Sequence, residues 1–248
     1  MMRALKLGEL SGPLQARVIN GDTGFSGVSI DSRAVRPGDL FIAIKGASHD
    51  GHDYVEQARL AGAAGAVVST PVDAGLPQLL VADTAAALAE LGAFNRSLYT
   101  GPLVAITGSN GKTTAKNLAC GVLSQRGETM ATAGNYNNEI GVPLTLLRLT
   151  PSVRFAVVEM GAARVGDIAY LCRLGRPTVA LLLNAMQAHL ETFGSVEDIA
   201  RGKGEIFDGR GADDFALVNA DQAWAADWRA RAGAATVIDF GLREPAAG

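Results

Sequence analysis

An apolar run at 103–106 passes directly into Thr107-Gly108-Ser109-Asn110-Gly111-Lys112-Thr113-Thr114, and a helical pattern follows. Strand, glycine loop and helix in that order leave few choices of fold. Glycines let backbone N–H groups close around an anion, and the helix N-terminus adds its positive end. A lysine can then reach the outer phosphates and a threonine hydroxyl can bind Mg²⁺. Residues Gly108, Ser109, Asn110, Gly111, Lys112, Thr113 and Thr114 therefore read as a cradle for nucleotide phosphates. The spacing G-x-x-G-K-T-T is narrower than the general phosphate loop, which wants a glycine where this chain has Ile106.

From the loop onward, strand and helix patterns alternate. Strands are expected at 103–107, 129–132, 155–159, 178–184, 215–218 and 236–240, and helices at 111–126, 165–174, 195–209 and 222–231. Aliphatic runs joined through helices imply a mostly parallel sheet with right-handed crossovers. Upstream, short strand-like runs at 16–19, 28–30, 40–44, 66–68 and 79–81 surround one helix at 54–61, which reads as a smaller α/β domain. A helix at 84–99 behind a threonine cap joins the two, so the expected domains are 1–83 and 84–248, with the boundary near 83–101.

A net charge of −3 offers no bulk attraction to nucleic acid or to an anionic membrane. The first residues lack the apolar stretch of a signal peptide, and the aliphatic run at 179–183 is too short to span a bilayer. The expectation is a cytoplasmic protein, taken as a monomer, with neither nucleic acid nor membrane as partner. Cys120 and Cys172 sit among apolar neighbours and read as buried thiols.

Several polar positions fall where an α/β fold binds ligands, at strand ends. Asp31-Ser32-Arg33 and the stretch from Lys45 to Asp53 follow strands, and either could be a ligand site or only a turn. Glu159 ends the run 155–158 and would face the phosphate loop, as an Mg²⁺ ligand or as a solvated strand-end acid. The segment 184–190 brings His189 to the same edge, as a ligand or as a structural histidine. Lys203 lies in the apolar stripe of its helix at i+4 from Ile199. It is either a snorkelling stem or a buried amine of lowered pKa, able to take up CO₂ as a carbamate. The loop 134–143 is rich in amide side chains, which suit sugar hydroxyls and diphosphate oxygens as well as plain turns.

The segments T-G-S-N-G-K-T-T, V-V-E-M-G, A-H-L-x-x-F-G-S and G-K-G-E-I-F resemble those of the Mur ligases of bacterial peptidoglycan synthesis. The stretch N-Y-N-N-E-I-G-V-P-L-T-L-L and the pattern D-S-R…P-G-D-L-F-I-A-I-K-G…D-G-H-D-Y are similar to the branch that uses D-alanyl-D-alanine. The resemblance implies an ATP-dependent ligase that phosphorylates the terminal carboxylate of UDP-N-acetylmuramoyl-tripeptide. The amine of D-alanyl-D-alanine then attacks the acyl phosphate. It further implies that Lys112 stabilises the migrating phosphoryl group, that Thr113 and Glu159 hold one Mg²⁺, and that His189 with a carbamylated Lys203 holds a second. Ser32, Arg33 and Lys45 would meet the uridine diphosphate end, and Asn137 and Asn138 the substrate nearer the reaction centre. The small first domain would then bind the UDP-substrate and the second ATP.

Family members carry a third, Rossmann-like domain that this sequence does not contain, so the resemblance implies an incomplete central domain and a chain that cannot ligate by itself. Three other readings compete. A non-catalytic module for a UDP-sugar or nucleotide fits the loop equally well. A folylpolyglutamate synthase shares a similar loop and lysine but not the Asn137-Asn138 stretch, and a switch-type NTPase needs a different loop spacing.

Overall fold

The computed structural model describes residues 2–46, 48–187 and 190–242, with only the backbone described at 190 and 192. The chain forms two compact units, Met1–Tyr99 with Leu146–Pro151, and Thr100–Thr145 with Ser152–Gly248.

In the first unit the strands are β1 (Leu5–Lys6), β2 (Arg17–Ile19), β3 (Gly24–Phe25), β4 (Gly27–Ser29), β5 (Asp39–Ile42), β6 (Gly65–Val68) and β7 (Gln78–Leu80). Five of them form a sheet in the order β2-β7-β6-β5-β4, parallel except for β2. Helix α1 (Val55–Leu60) buries Val55 and Ala58 in a cluster with Phe41, Ala66 and Val68. The pair β1–β3 was not foreseen, because two-residue strands carry no periodic pattern.

Helix α2 (Thr84–Ser97) goes with this unit rather than the second. It buries Ala87, Leu88 and Leu91, and the Thr84 hydroxyl donates to the carbonyl of Ala43 at 2.9 Å. The expected threonine cap is corrected as well. Asp83 is the N-cap, its Oδ1 accepting from the amides of Ala85 and Ala86 at 2.7 and 2.9 Å. Asn95 of α2 donates to the carbonyls of Leu146 and Leu149, which holds the returning segment Leu146–Pro151.

The second unit contains β8 (Leu103–Thr107), β9 (Thr129–Ala131), β10 (Phe155–Glu159), β11 (Val179–Leu182), β12 (Phe215–Asn219) and β13 (Thr236–Phe240). All six are parallel, in the order β13-β12-β11-β8-β10-β9. Strand β8 is the hinge of this order, since β9 and β10 build one side and β11 to β13 the other. Ligands of open parallel sheets bind at the carboxyl ends of the strands flanking such a switch point. The helices are α3 (Lys112–Leu123), α4 (Gly141–Leu146), α5 (Asp167–Gly175), α6 (Leu190–Phe193), α7 (Val196–Gly204) and α8 (Ala225–Arg231).

Helix ends differ from the sequence reading for local reasons. Helix α5 starts at Asp167 because Gly166 has φ +97. Helix α7 stops at Gly204 and tightens into a 3₁₀ turn, Glu205–Phe207, with Ser195 as its N-cap. Among the described residues no helix is long and apolar enough to cross a membrane.

Candidate active site

The phosphate loop leaves β8 and enters α3, with Gly111 as N-cap at φ +82, a conformation that a side chain would strain. Not every loop amide faces an anion. The Ser109 N–H donates to the Asn184 carbonyl at 3.0 Å and the Asn110 N–H to Asn184 Oδ1 at 3.0 Å, while Asn184 Nδ2 returns a bond to Asn110 O at 3.2 Å. Ser109 Oγ donates to Met186 O at 3.0 Å. Ser109 and Asn110 thus hold the loop to the segment after β11. The amides of the first turn of α3, which have no intrahelical partners, remain available to meet phosphate.

Lys112 Nζ donates to Gly108 O at 2.7 Å and to Ser109 O at 3.3 Å, so its ammonium rests on the loop it would share with a phosphate. Desolvation lowers its pKa, against the opposing pull of the Glu159 carboxylate.

Glu159, at the end of β10, is buried beside the start of α3. Its Oε2 accepts from Thr113 Oγ1 at 2.9 Å and its Oε1 from Asn137 Nδ2 at 2.8 Å. Its backbone N–H donates to Thr132 Oγ1 at 2.9 Å, and Lys116 Nζ, one turn beyond Thr113, donates to Thr132 O at 2.9 Å. Asn137 is therefore in the carboxylate network. Gly161 allows this approach, because a Cβ there would lie 2.9 Å from Asn137 Oδ1. A hydroxyl and a carboxylate sharing one hydrogen bond are hard oxygen donors of the kind Mg²⁺ takes, so the pair fits that ion.

Lys203 is 2% exposed, which rules out a snorkelling stem. Burial, reinforced by the charge of Lys112, lowers its pKa to about 8. It lines a cavity of about 330 Å³ together with Ser109, Lys112, Asn137, Asn138 and Tyr170. Asp167, also on the wall, accepts from the amides of Ala163 and Arg164 at 2.9 and 3.0 Å. His189 lies outside the described residues, and among those described no three His, Cys, Asp or Glu side chains gather as a metal site.

In the first unit, Asp31–Arg33 and Lys45 follow the ends of the neighbouring parallel strands β4 and β5. Arg33 forks onto Asp31 at 2.9 and 2.8 Å, holding that carboxyl down at about 2. Ser32 Oγ donates to Gln57 Oε1 at 3.0 Å, and Lys45 pairs with Asp50 at 3.6 Å.

Sequence reasoning missed Asn184 and Asp167 as parts of the site. Asn184 sits at a strand end beside the loop, a position that could have marked it; Asp167 carries no motif.

Residues 106–248 match the family profile "Mur ligase middle domain", and residues 24–96 match "Mur ligase family, catalytic domain". The UDP-N-acetylmuramoyl-tripeptide--D-alanyl-D-alanine ligase of Escherichia coli (strain K12) is 44% identical over 239 residues, 96% of this chain and 53% of that protein. The protein of the same description from Synechocystis sp. is 39% identical over 227 residues, 90% of this chain and 50% of its own length. The chain spans about half the length of these curated relatives. A crystal structure of MurF from Acinetobacter baumannii superposes with a TM-score of 0.91 at 35% identity, covering 97% of this chain and 54% of that one. MurF ligase from Thermotoga maritima in complex with ADP gives 0.79 at 34% identity, with 89% and 51% covered.

Proposed function

Because this chain belongs to the Mur ligase family, we propose that it carries the ATP site and the carboxylate-activating site of a ligase that joins D-alanyl-D-alanine to UDP-N-acetylmuramoyl-tripeptide. The observation that carries the reading is that Lys112 and Lys203 line one cavity whose wall residue Asn137 also donates to Glu159, the hydrogen-bond partner of Thr113, at the switch point of the sheet.

The first turn of α3 receives the phosphates of ATP, and Lys112 turns from the loop carbonyls to the γ-phosphate. A carboxylate oxygen of the tripeptide attacks the γ-phosphorus, the bond to the β-phosphate oxygen breaks, and ADP leaves. Lys112 offsets the negative charge that accumulates on the transferring group. The free amine of D-alanyl-D-alanine then attacks the acyl carbon, phosphate leaves, and the nitrogen loses a proton as the amide forms.

Thr113 and Glu159 would hold one Mg²⁺, which would neutralise phosphate charge when bound. The depressed pKa of Lys203 keeps a fraction of its amine neutral, free to add to CO₂ with loss of a proton. The resulting carbamate, with His189, would hold a second ion. Asn138 lies on the cavity wall for substrate contact, and Ser32, Arg33 and Lys45 remain the proposed contacts of the uridine diphosphate end. A monomer in the cytoplasm, where ATP is supplied, is part of the same proposal.

Hydroxylamine trapping tests this directly. With ATP, Mg²⁺ and UDP-N-acetylmuramoyl-tripeptide, the chain should yield the tripeptide hydroxamate and an equal amount of ADP. ADP formed without hydroxamate, or neither product, contradicts the proposal.

A further inference from the structure

Helix α5 has a glycine, Gly166, at its N-cap and so lacks the side chain that commonly satisfies the first amides of a helix. Asp167 does not serve them, because its Oδ2 is taken by the amides of Ala163 and Arg164. The partner comes from elsewhere in the chain. Glu205 accepts from the Gly166 N–H through Oε1 at 2.7 Å and from the Ala169 N–H through Oε2 at 3.0 Å. Glu205 is 6% exposed, and a carboxylate withdrawn from water is costly unless its oxygens are held by donors. Apolar packing between α5 and α7 would not need a charge there.

The place of this contact gives it a role. Glu205 stands two residues after Lys203, immediately beyond α7. Its donors open α5, whose Asp167 and Tyr170 line the cavity wall. The approach is close on both sides, since a Cβ on Gly202 would meet Phe193 at 2.9 Å and Val165 at 3.4 Å. We infer that Glu205 is a positioning residue: its carboxylate braces the helix carrying Lys203 against the α5 wall and sets how far the Lys203 amine is enclosed. The value of that enclosure to the reaction rests on the function proposed above, whereas the brace itself is measurable without nucleotide or substrate.

The test is competitive labelling of the chain with cyanate at one fixed pH, with peptide mass spectrometry comparing Lys203 with Lys45, whose side chain is 76% exposed. Loss of two charge-assisted hydrogen bonds should raise the Lys203-to-Lys45 ratio about tenfold in Glu205→Ala, by favouring local opening. Glu205→Gln keeps one acceptor oxygen and should give a smaller rise. Circular dichroism checks that each variant is folded, and Glu205→Gln carries the test if Glu205→Ala is not. A wild-type ratio in a folded variant, even with a lower melting temperature, overturns the inference. Because no ligand is present, that result is separate from a failure of the ligase reading.

Discussion

Thr113 and Glu159, 46 positions apart in the chain, meet through a 2.9 Å hydrogen bond from the threonine hydroxyl to carboxylate Oε2. Parallel pairing of β8 and β10 sets Glu159 opposite Ile106, one residue before the strand β8 ends and the loop begins. The fold thereby delivers an acid to the start of the phosphate-loop helix. Replacing Glu159 by Gln keeps the shape but removes the charge. Thermal-shift titration should show the Mg²⁺-dependent part of ATP stabilisation reduced by about 1–2 kcal/mol, with the Mg²⁺-free part nearly unchanged.

Lys112 is held by loop carbonyls alone among its described hydrogen bonds. Lys112→Met should therefore leave the fold intact. Its affinity for ATP, measured by fluorescent-nucleotide displacement, should fall about a hundredfold, the cost of a lost charge-assisted contact to phosphate.

Gly161→Ala places a methyl 2.9 Å from Asn137 Oδ1 and 3.1 Å from its Cγ. The Asn137 amide would have to leave Glu159. Hydroxamate formation should drop at least about tenfold with a stability loss of only about 1 kcal/mol, read by urea denaturation. Gly111→Ala, at φ +82, should differ by destabilising the chain by about 1–2 kcal/mol.

Lys203 makes a pH prediction whose sign follows from its lowered pKa. Unfolded, the amine titrates near 10.5; folded, at about 8. Below about pH 8 both states bind the proton, and the full cost of burying the cation is present. As pH rises from about 8 toward 10.5 the unfolded state binds more protons, so this contribution makes the protein more stable. Urea denaturation at several pH values should show that rise in the wild type, measured without divalent ions, and its absence in Lys203→Met.

What was readable from sequence follows the range of the interactions. Strands β8 and β10 came out residue for residue because Leu103–Thr107 and Phe155–Glu159 are aliphatic runs, and Glu159 was identified from its place at a strand end. Lys203 was recognised because a lysine interrupts an apolar helical stripe, and its burial agrees. Helix starts were less legible where one residue decides them, as Asp83 replacing Thr84 at the cap shows. The least legible roles depend on partners distant in the chain. Asn184 reaches Asn110 across 74 positions and Glu205 reaches Gly166 across 39; a strand end marks the place of Asn184 but not its partner, and no local pattern marks Glu205. His189 belongs to the expected site but lies outside the described residues.

The central claim is that the loop from Gly108 to Thr114 and Glu159 together form a site for Mg²⁺ and ATP. Calorimetric titration of the 248-residue chain with ATP, with and without Mg²⁺, tests it most directly. Saturable binding of one nucleotide per chain is expected, tighter with Mg²⁺ and weakened about a hundredfold by Lys112→Met. Absence of binding, or binding indifferent both to Mg²⁺ and to Lys112, would contradict it.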